Sequence, residues 1–214
     1  MLGILGGGQL GRFFVIAAQK LGFRVTVLDP DEKSPAGMIA DVHLCAEYTD
    51  RKALDKIMSS CSSVTTEFEN IPFSTLEYLE KKLIVRPSSS AVAVVQNRII
   101  EKTFLIDNGI PVGPFFVIQA LAQLNDVPSD IFPAILKVAQ FGYDGKGQIH
   151  VNNIADLEIA YNYSGQVPCV LEKKLFLDLE VSNFTGFTDC VGPSLGCFPP
   201  DSRLVVAGSV CSHL

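Results

Sequence analysis

The chain has 214 residues, 48% of them hydrophobic and 19% charged, with a formal net charge of -6. This is the composition of a globular protein of one large or two modest domains. Its acidic balance, with an isoelectric point near 5.0, excludes broad electrostatic attraction to nucleic acid or to an anionic membrane. Any anionic ligand must then be gripped by a few local groups.

The opening MLGILGGGQLG breaks its apolar run with glycines. No apolar stretch approaches the ~18 residues of a membrane span, so the expected location is the cytoplasm. LGIL at residues 2–5 reads as a strand, followed by glycines and by GRFFVIAAQKLG, an apolar-periodic helix that Gly22 stops. RVTVLD at residues 24–29 is a second strand and DVHLC at residues 41–45 a short third. A helix over DRKALDKIMSS leads to a fourth strand, SVTTEFEN, and to a helix over STLEYLEKK. Strands alternating with helices predict a parallel sheet. After VRPS at residues 85–88 the pattern changes to a long helical stretch, SSSAVAVVQNRIIEKTFLIDNG, with a break near Asn97 and a stop at Asn108 and Gly109. IPVGPFFVI is extended and, with Pro111 and Pro114, suits a sheet edge. PAILKVA and QIHVN are strands on either side of GYDGKGQ. A helix over NIADLEIAYNY and a strand over PCVLEKK complete an α+β module. Residues 183–214 contain no lysine and no glutamate and show little periodicity beyond RLVVAG.

Four stretches carry residues with chemical potential. GGGQLG satisfies GxGxxG at Gly6, Gly8 and Gly11, with Asp29 closing the second strand. This is a dinucleotide fingerprint, although the same amides at a helix N-terminus suit any phosphate, and glycines also permit a plain tight turn. TTEFENIP puts Glu67 and Glu69 two residues apart, on one side of an extended segment at a strand end where ligands of parallel sheets bind; a solvated acidic strand end is the alternative. GYDGKGQ, with Lys137 on the strand before it and Lys146 inside it, is not a Walker A loop, because Gly147 and Gln148 follow the lysine. A phosphate-covering hairpin and a plain Asp-Gly hairpin both remain open. In LEKKLFLDLEVS, Glu172 and Glu180 lie eight residues apart, a spacing that a strand end at an adenine edge and a ribose-binding carboxylate would need. The six cysteines (Cys45, Cys61, Cys169, Cys190, Cys197, Cys211) form no CxxC pair, which favours buried or incidental thiols over a zinc or redox site. His43, His150 and His213 stand singly.

GGGQLGR, VLDPD with SPAG, TTEFENIP, RPS, QNRIIEK, GIPV, ILK, GYDGKGQ and LEK with EVS occur together and in order. In this the chain resembles the ATP-grasp family of N5-carboxyaminoimidazole ribonucleotide synthetases, from Leu2 to Ser182. The resemblance implies an α/β fold: a Rossmann-like pre-ATP-grasp domain over residues 1–90, then an incomplete α+β ATP-grasp domain over residues 91–182 and a divergent tail over residues 183–214. It implies a carbon-nitrogen ligase that uses ATP, Mg2+ and bicarbonate to carboxylate 5-aminoimidazole ribonucleotide in purine biosynthesis, and a homodimer. It further implies that Arg98 and Lys137 contact ATP phosphates and that Gly142, Tyr143, Asp144, Gly145, Lys146, Gly147 and Gln148 cover the nucleotide. Tyr143, Asp144 and Lys146 would lie next to bicarbonate. Glu172, Lys173, Lys174 and Leu175 would line the adenine, and Glu180 would hold the ribose. Gly8, Gln9, Leu10 and Glu69 would face the ribonucleotide substrate.

The resemblance ends after Ser182, where the family's magnesium-binding carboxylates and histidines have no counterpart. Asp189 and Asp201 are the acidic residues of the tail and neither matches. The expectation is a chain cut short, with a frame-shifted or locally deleted tail and little turnover. A ligand- or partner-binding remnant, another ATP-grasp ligase and a nicotinamide-dependent dehydrogenase are the alternatives.

Overall fold

The computed structural model describes residues 1–142 and 147–176. They fall into two compact units that divide between Asn97 and Arg98.

The first unit is built on five parallel strands in the order β3-β2-β1-β4-β5. These are β1 (Leu2–Leu5), β2 (Val25–Leu28), β3 (Val42–Leu44), β4 (Ser63–Thr66) and β5 (Ile84–Arg86). Alternate strand residues enter different cores, as the two-residue period of a pleated strand requires. Ile4, Val25 and Val27 join Val15 and Ala18 of α1 (Gln9–Lys20) in one core. Leu5 and Leu28 join a larger one with Leu54 and Ile57 of α2 (Arg51–Ser60) and Leu76 and Leu79 of α3 (Phe73–Glu80). Each large apolar side chain so buried contributes about 1.5–3 kcal/mol. The Asp50 side chain caps α2 by accepting from the Ala53 amide at 2.9 Å. Strand β5 is not among the expected elements: three residues ahead of Pro87 are too short to show alternation. The long helix expected after it is two, α4 (Ser89–Val95) and α5 (Arg98–Asp107), with the break at Asn97 as read.

The second unit holds an antiparallel sheet in the order β6-β9-β7-β8. Its strands are β6 (Phe115–Ile118), β7 (Ala134–Val138), β8 (Gln148–Val151) and β9 (Cys169–Lys173), and β6 lies at the edge as its flanking prolines suggested. Helix α6 (Ile154–Tyr163) packs Leu157 and Tyr161, one turn apart, onto Leu136 and Leu171. Two 3-10 turns, Leu121–Asp126 and Ser129–Ile131, link β6 to β7.

Candidate active site

In the first unit the strand order reverses between β1 and β4, the position where open parallel sheets bind ligands. Leu5 pairs with Thr66, so the chain leaves the sheet side by side at Gly6 and at Glu67. The two exits are bonded to each other. The amide of Gly8 donates to Glu67 Oε2 at 2.5 Å and that of Leu10 to Oε1 at 3.1 Å. The amide of Gly7 donates to Asp29 Oδ2 at 2.7 Å, and that of Gly6 to the Leu28 carbonyl at 3.0 Å. Glycine is required here by geometry: Gly6 has φ +105°, and a β-carbon on it would lie 2.7 Å from Glu67 Cβ. Asp29 is buried and also accepts from the Tyr48 hydroxyl at 2.8 Å and the Asp31 amide at 2.8 Å. Burial, then this bond to Asp29, raises the Tyr48 pKa, so the phenol stays a donor. The Tyr48 ring meets Phe68 edge-on at 5.9 Å.

This geometry corrects two readings. GGGQLG with Asp29 does not form a dinucleotide site, because carboxylates of the chain itself occupy the amides that would hold a pyrophosphate, and Asp29 faces the loop rather than a ribose. The second correction concerns TTEFENIP, which is not extended throughout: β4 ends at Thr66 and the chain bends through Glu67 and turns at Glu69. The bend is what brings the Glu67 carboxylate back onto α1. Glu69 is half-buried in that turn, and the Gln96 side-chain amide fixes the backbone around it. Gln96 Nε2 donates to the carbonyls of Glu69 at 2.6 Å and Ile71 at 2.5 Å.

The second unit gathers charge instead. Lys137 on β7 and Glu172 on β9 lie two positions out of register on paired strands, since Ile135 is the partner of Glu172. This diagonal lets long side chains meet. Lys137 Nζ is 3.0 Å from Glu172 Oε2, and Lys102 Nζ, from α5, is 3.3 Å from Oε1. Arg98 lies one turn before Lys102 on α5, and its amide donates to the Ala139 carbonyl at 2.9 Å, which ties the start of α5 to the end of β7. Glu101 completes the group. Burial raises its pKa, opposed by the charges of Arg98 and Lys102, while Glu172 and Lys137 also act on it. Three cations against two carboxylates leave a local positive excess that suits a polyphosphate. No group of three or more His, Cys, Asp or Glu able to hold a metal ion occurs among the described residues.

Other expected site residues are distributed as follows. Gly142 ends the described part of the hairpin, and Gly147, with φ +74°, precedes Gln148, the β8 partner of Lys137. The Lys173 ammonium donates to the Asp130 carbonyl at 2.8 Å, the Lys174 amide donates to the Pro133 carbonyl at 2.8 Å, and Leu175 lies near Gly113. Gln9 is exposed at the start of α1. Tyr143, Asp144, Gly145, Lys146 and Glu180 lie outside the described residues. Gln96 and Lys102 stand at the two ends of QNRIIEK but have no site role in the sequence reading, although Lys102 lies four residues after Arg98, a helical spacing that could have revealed it.

Residues 1–96 match the ribonucleotide synthetase preATP-grasp domain family and residues 103–187 the ATP-grasp domain family. The N5-carboxyaminoimidazole ribonucleotide synthase of Bacillus subtilis is 34% identical over 183 residues, covering 85% of this chain and 48% of that protein. The solved structure of N5-carboxyaminoimidazole synthetase from Staphylococcus aureus, complexed with ADP, aligns with a TM-score of 0.73 at 36% identity over 83% of this chain and 48% of that one. That of the Aspergillus clavatus enzyme, in complex with ADP and 5-aminoimidazole ribonucleotide, aligns with a TM-score of 0.74 at 30% identity over 83% and 47%. The chain spans about half the length of the curated relatives it matches. By these matches, the chain carries a ribonucleotide synthetase preATP-grasp domain followed by an ATP-grasp domain, and over that span it is similar to N5-carboxyaminoimidazole ribonucleotide synthetases.

Proposed function

We propose that this chain serves the ATP-dependent carboxylation of 5-aminoimidazole ribonucleotide with bicarbonate, in the cytoplasm and as a homodimer. The observation that carries this reading is the charge cluster in which Lys102 and Lys137 flank Glu172, with Arg98 one turn before Lys102 on α5. It offers fixed positive charge of the kind that phosphoryl transfer requires. In this scheme bicarbonate oxygen attacks the γ-phosphorus, ADP leaves, and the exocyclic amine of the ribonucleotide then attacks the carbonyl carbon of carboxyphosphate with loss of phosphate. Arg98 and Lys137 hold the phosphates. The segment from Gly142 to Gln148 covers them, with Tyr143, Asp144 and Lys146 beside bicarbonate, and water excluded from the labile intermediate. Glu172, Lys173, Lys174 and Leu175 border the adenine and Glu180 takes the ribose. Gly8, Gln9, Leu10 and Glu69 form the ribonucleotide side, where the braced glycine loop supplies a fixed wall. Magnesium belongs to this reading only through the resemblance.

The test measures ADP release by the chain with ATP, bicarbonate and 5-aminoimidazole ribonucleotide, omitting each in turn. Slow release that requires all three is expected. ATP binding without ribonucleotide-dependent release would replace this reading with that of a ligand-binding remnant.

A further inference from the structure

We infer that Lys102 is a positioning residue for Lys137: its ammonium keeps Glu172 neutralised, so that Lys137 can leave that carboxylate for an incoming polyphosphate. The inference rests on the nucleotide site proposed above. Each oxygen of Glu172 has its own cation, Oε1 with Lys102 at 3.3 Å and Oε2 with Lys137 at 3.0 Å. The two lysines are not equivalent. The Lys102 side chain is 9% exposed, with its ammonium 5.2 Å from the centroid of the Phe115 ring, whereas that of Lys137 is 19% exposed near the turn end of the β7–β8 hairpin. An ammonium as buried as Lys102 is held to its carboxylate, because leaving would strand two desolvated charges. Lys137 has water on one side and an easier exchange. For Lys137 to move to a phosphate, Glu172 must keep another cation, or the carboxylate left behind would pull it back. Lys102 is placed to be that cation. The arrangement stores Lys137 in a defined place before the ligand arrives.

The test is a double-mutant cycle of Lys102→Met and Glu172→Gln. Tripolyphosphate affinity is measured by calorimetry and the acetylation rate of Lys137 by peptide mass spectrometry, on all four proteins. Lys102→Met should weaken tripolyphosphate binding about tenfold and slow Lys137 acetylation severalfold in the otherwise native chain, and change both less than about twofold in the Glu172→Gln background. Adenosine affinity should not change. Equal effects of Lys102→Met in both backgrounds would mean that Lys102 acts only as another positive charge, and would overturn the inference, as would an equal loss of adenosine binding. Should Lys102→Met alone fail to fold, the comparison of the double variant with Glu172→Gln still decides, together with Lys102→Arg, expected to behave as the native chain. A native chain that binds neither tripolyphosphate nor ATP would sink the proposed nucleotide site, while the acetylation cycle, which needs no ligand, would still judge the role of Lys102.

Discussion

In the first unit the carboxylates of Asp29 and Glu67 sit on backbone amides of the glycine loop, whereas in the second the carboxylate of Glu172 sits between two ammonium groups. Both are anion sites occupied by the protein itself, yet they differ in what a ligand would have to displace. Amides fixed at the end of a helix cannot move, so an incoming phosphate would have to expel Glu67 and leave it without its donors. Lysine side chains rotate, so Lys137 can turn to a new anion while Lys102 stays. The glycine loop is therefore a rigid surface, whereas the lysine cluster has a side chain free to rearrange.

The largest effect that tests this contrast is on the rigid side. Gly6→Val combines a side chain at φ +105° with a β-carbon 2.7 Å from Glu67 Cβ, and should destabilise the chain by about 4 kcal/mol in chemical denaturation. A loss below about 1 kcal/mol would mean the loop is not braced. On the mobile side, Lys137→Met should weaken ATP binding by about 2 kcal/mol, roughly 30-fold, with little change in melting temperature. A drop in melting temperature with unchanged affinity would make Lys137 a structural residue. Glu67→Gln replaces an ionised acceptor with a neutral amide at the N-terminus of α1 and should cost about 1.5 kcal/mol of stability. If phosphate restored none of the stability lost in a Glu67→Ala variant, that would agree with a wall rather than a latent anion site.

The smallest effect concerns a carboxylate on an amide at the surface. The Val25 amide, then the Gln19 and Arg24 side chains, hold Asp41 below its ordinary value of 3.8. A lowered folded value means that Asp41 adds stability that is fully present above about pH 4 and is lost as the pH falls through the lowered value. Asp41→Asn should accordingly lose a little stability at neutral pH and less at the acid end, which flattens the acid limb of the stability curve. A variant that lost as much stability at pH 3 as at pH 7 would contradict this.

Local patterns in the sequence disclosed the order of strands and helices, the interruption near Asn97, and the lysine on β7. They could not disclose the partners. Asp29 is 22 residues from Gly7 and Glu67 is 59 from Gly8, so the same residues that spell a dinucleotide fingerprint along the chain become internal braces once folded. TTEFEN likewise reads as one extended run, because nothing local announces that Glu67 will find the amides of Gly8 and Leu10 at the start of α1. Strand β5 was hidden by its length. Lys102 was hidden by its company, since a Glu-Lys pair on a helix ordinarily reads as a solvated face, and only the packing of α5 beside β9 shows that it meets Glu172.

Gln96 gives the fold a further consequence, one for dissecting the protein into pieces. Both hydrogens of its side-chain amide are committed to the carbonyls of Glu69 and Ile71, so a fragment ending at residue 90 would lack the clamp on the Glu69 turn. A fragment carried through residue 97 would retain it. Hydrogen exchange in the segment from Glu69 to Ile71 should be fast in the shorter piece and slow in the longer one, which makes seven residues at the end of a helix the difference between a scaffold and a scaffold with its Glu69 turn in place.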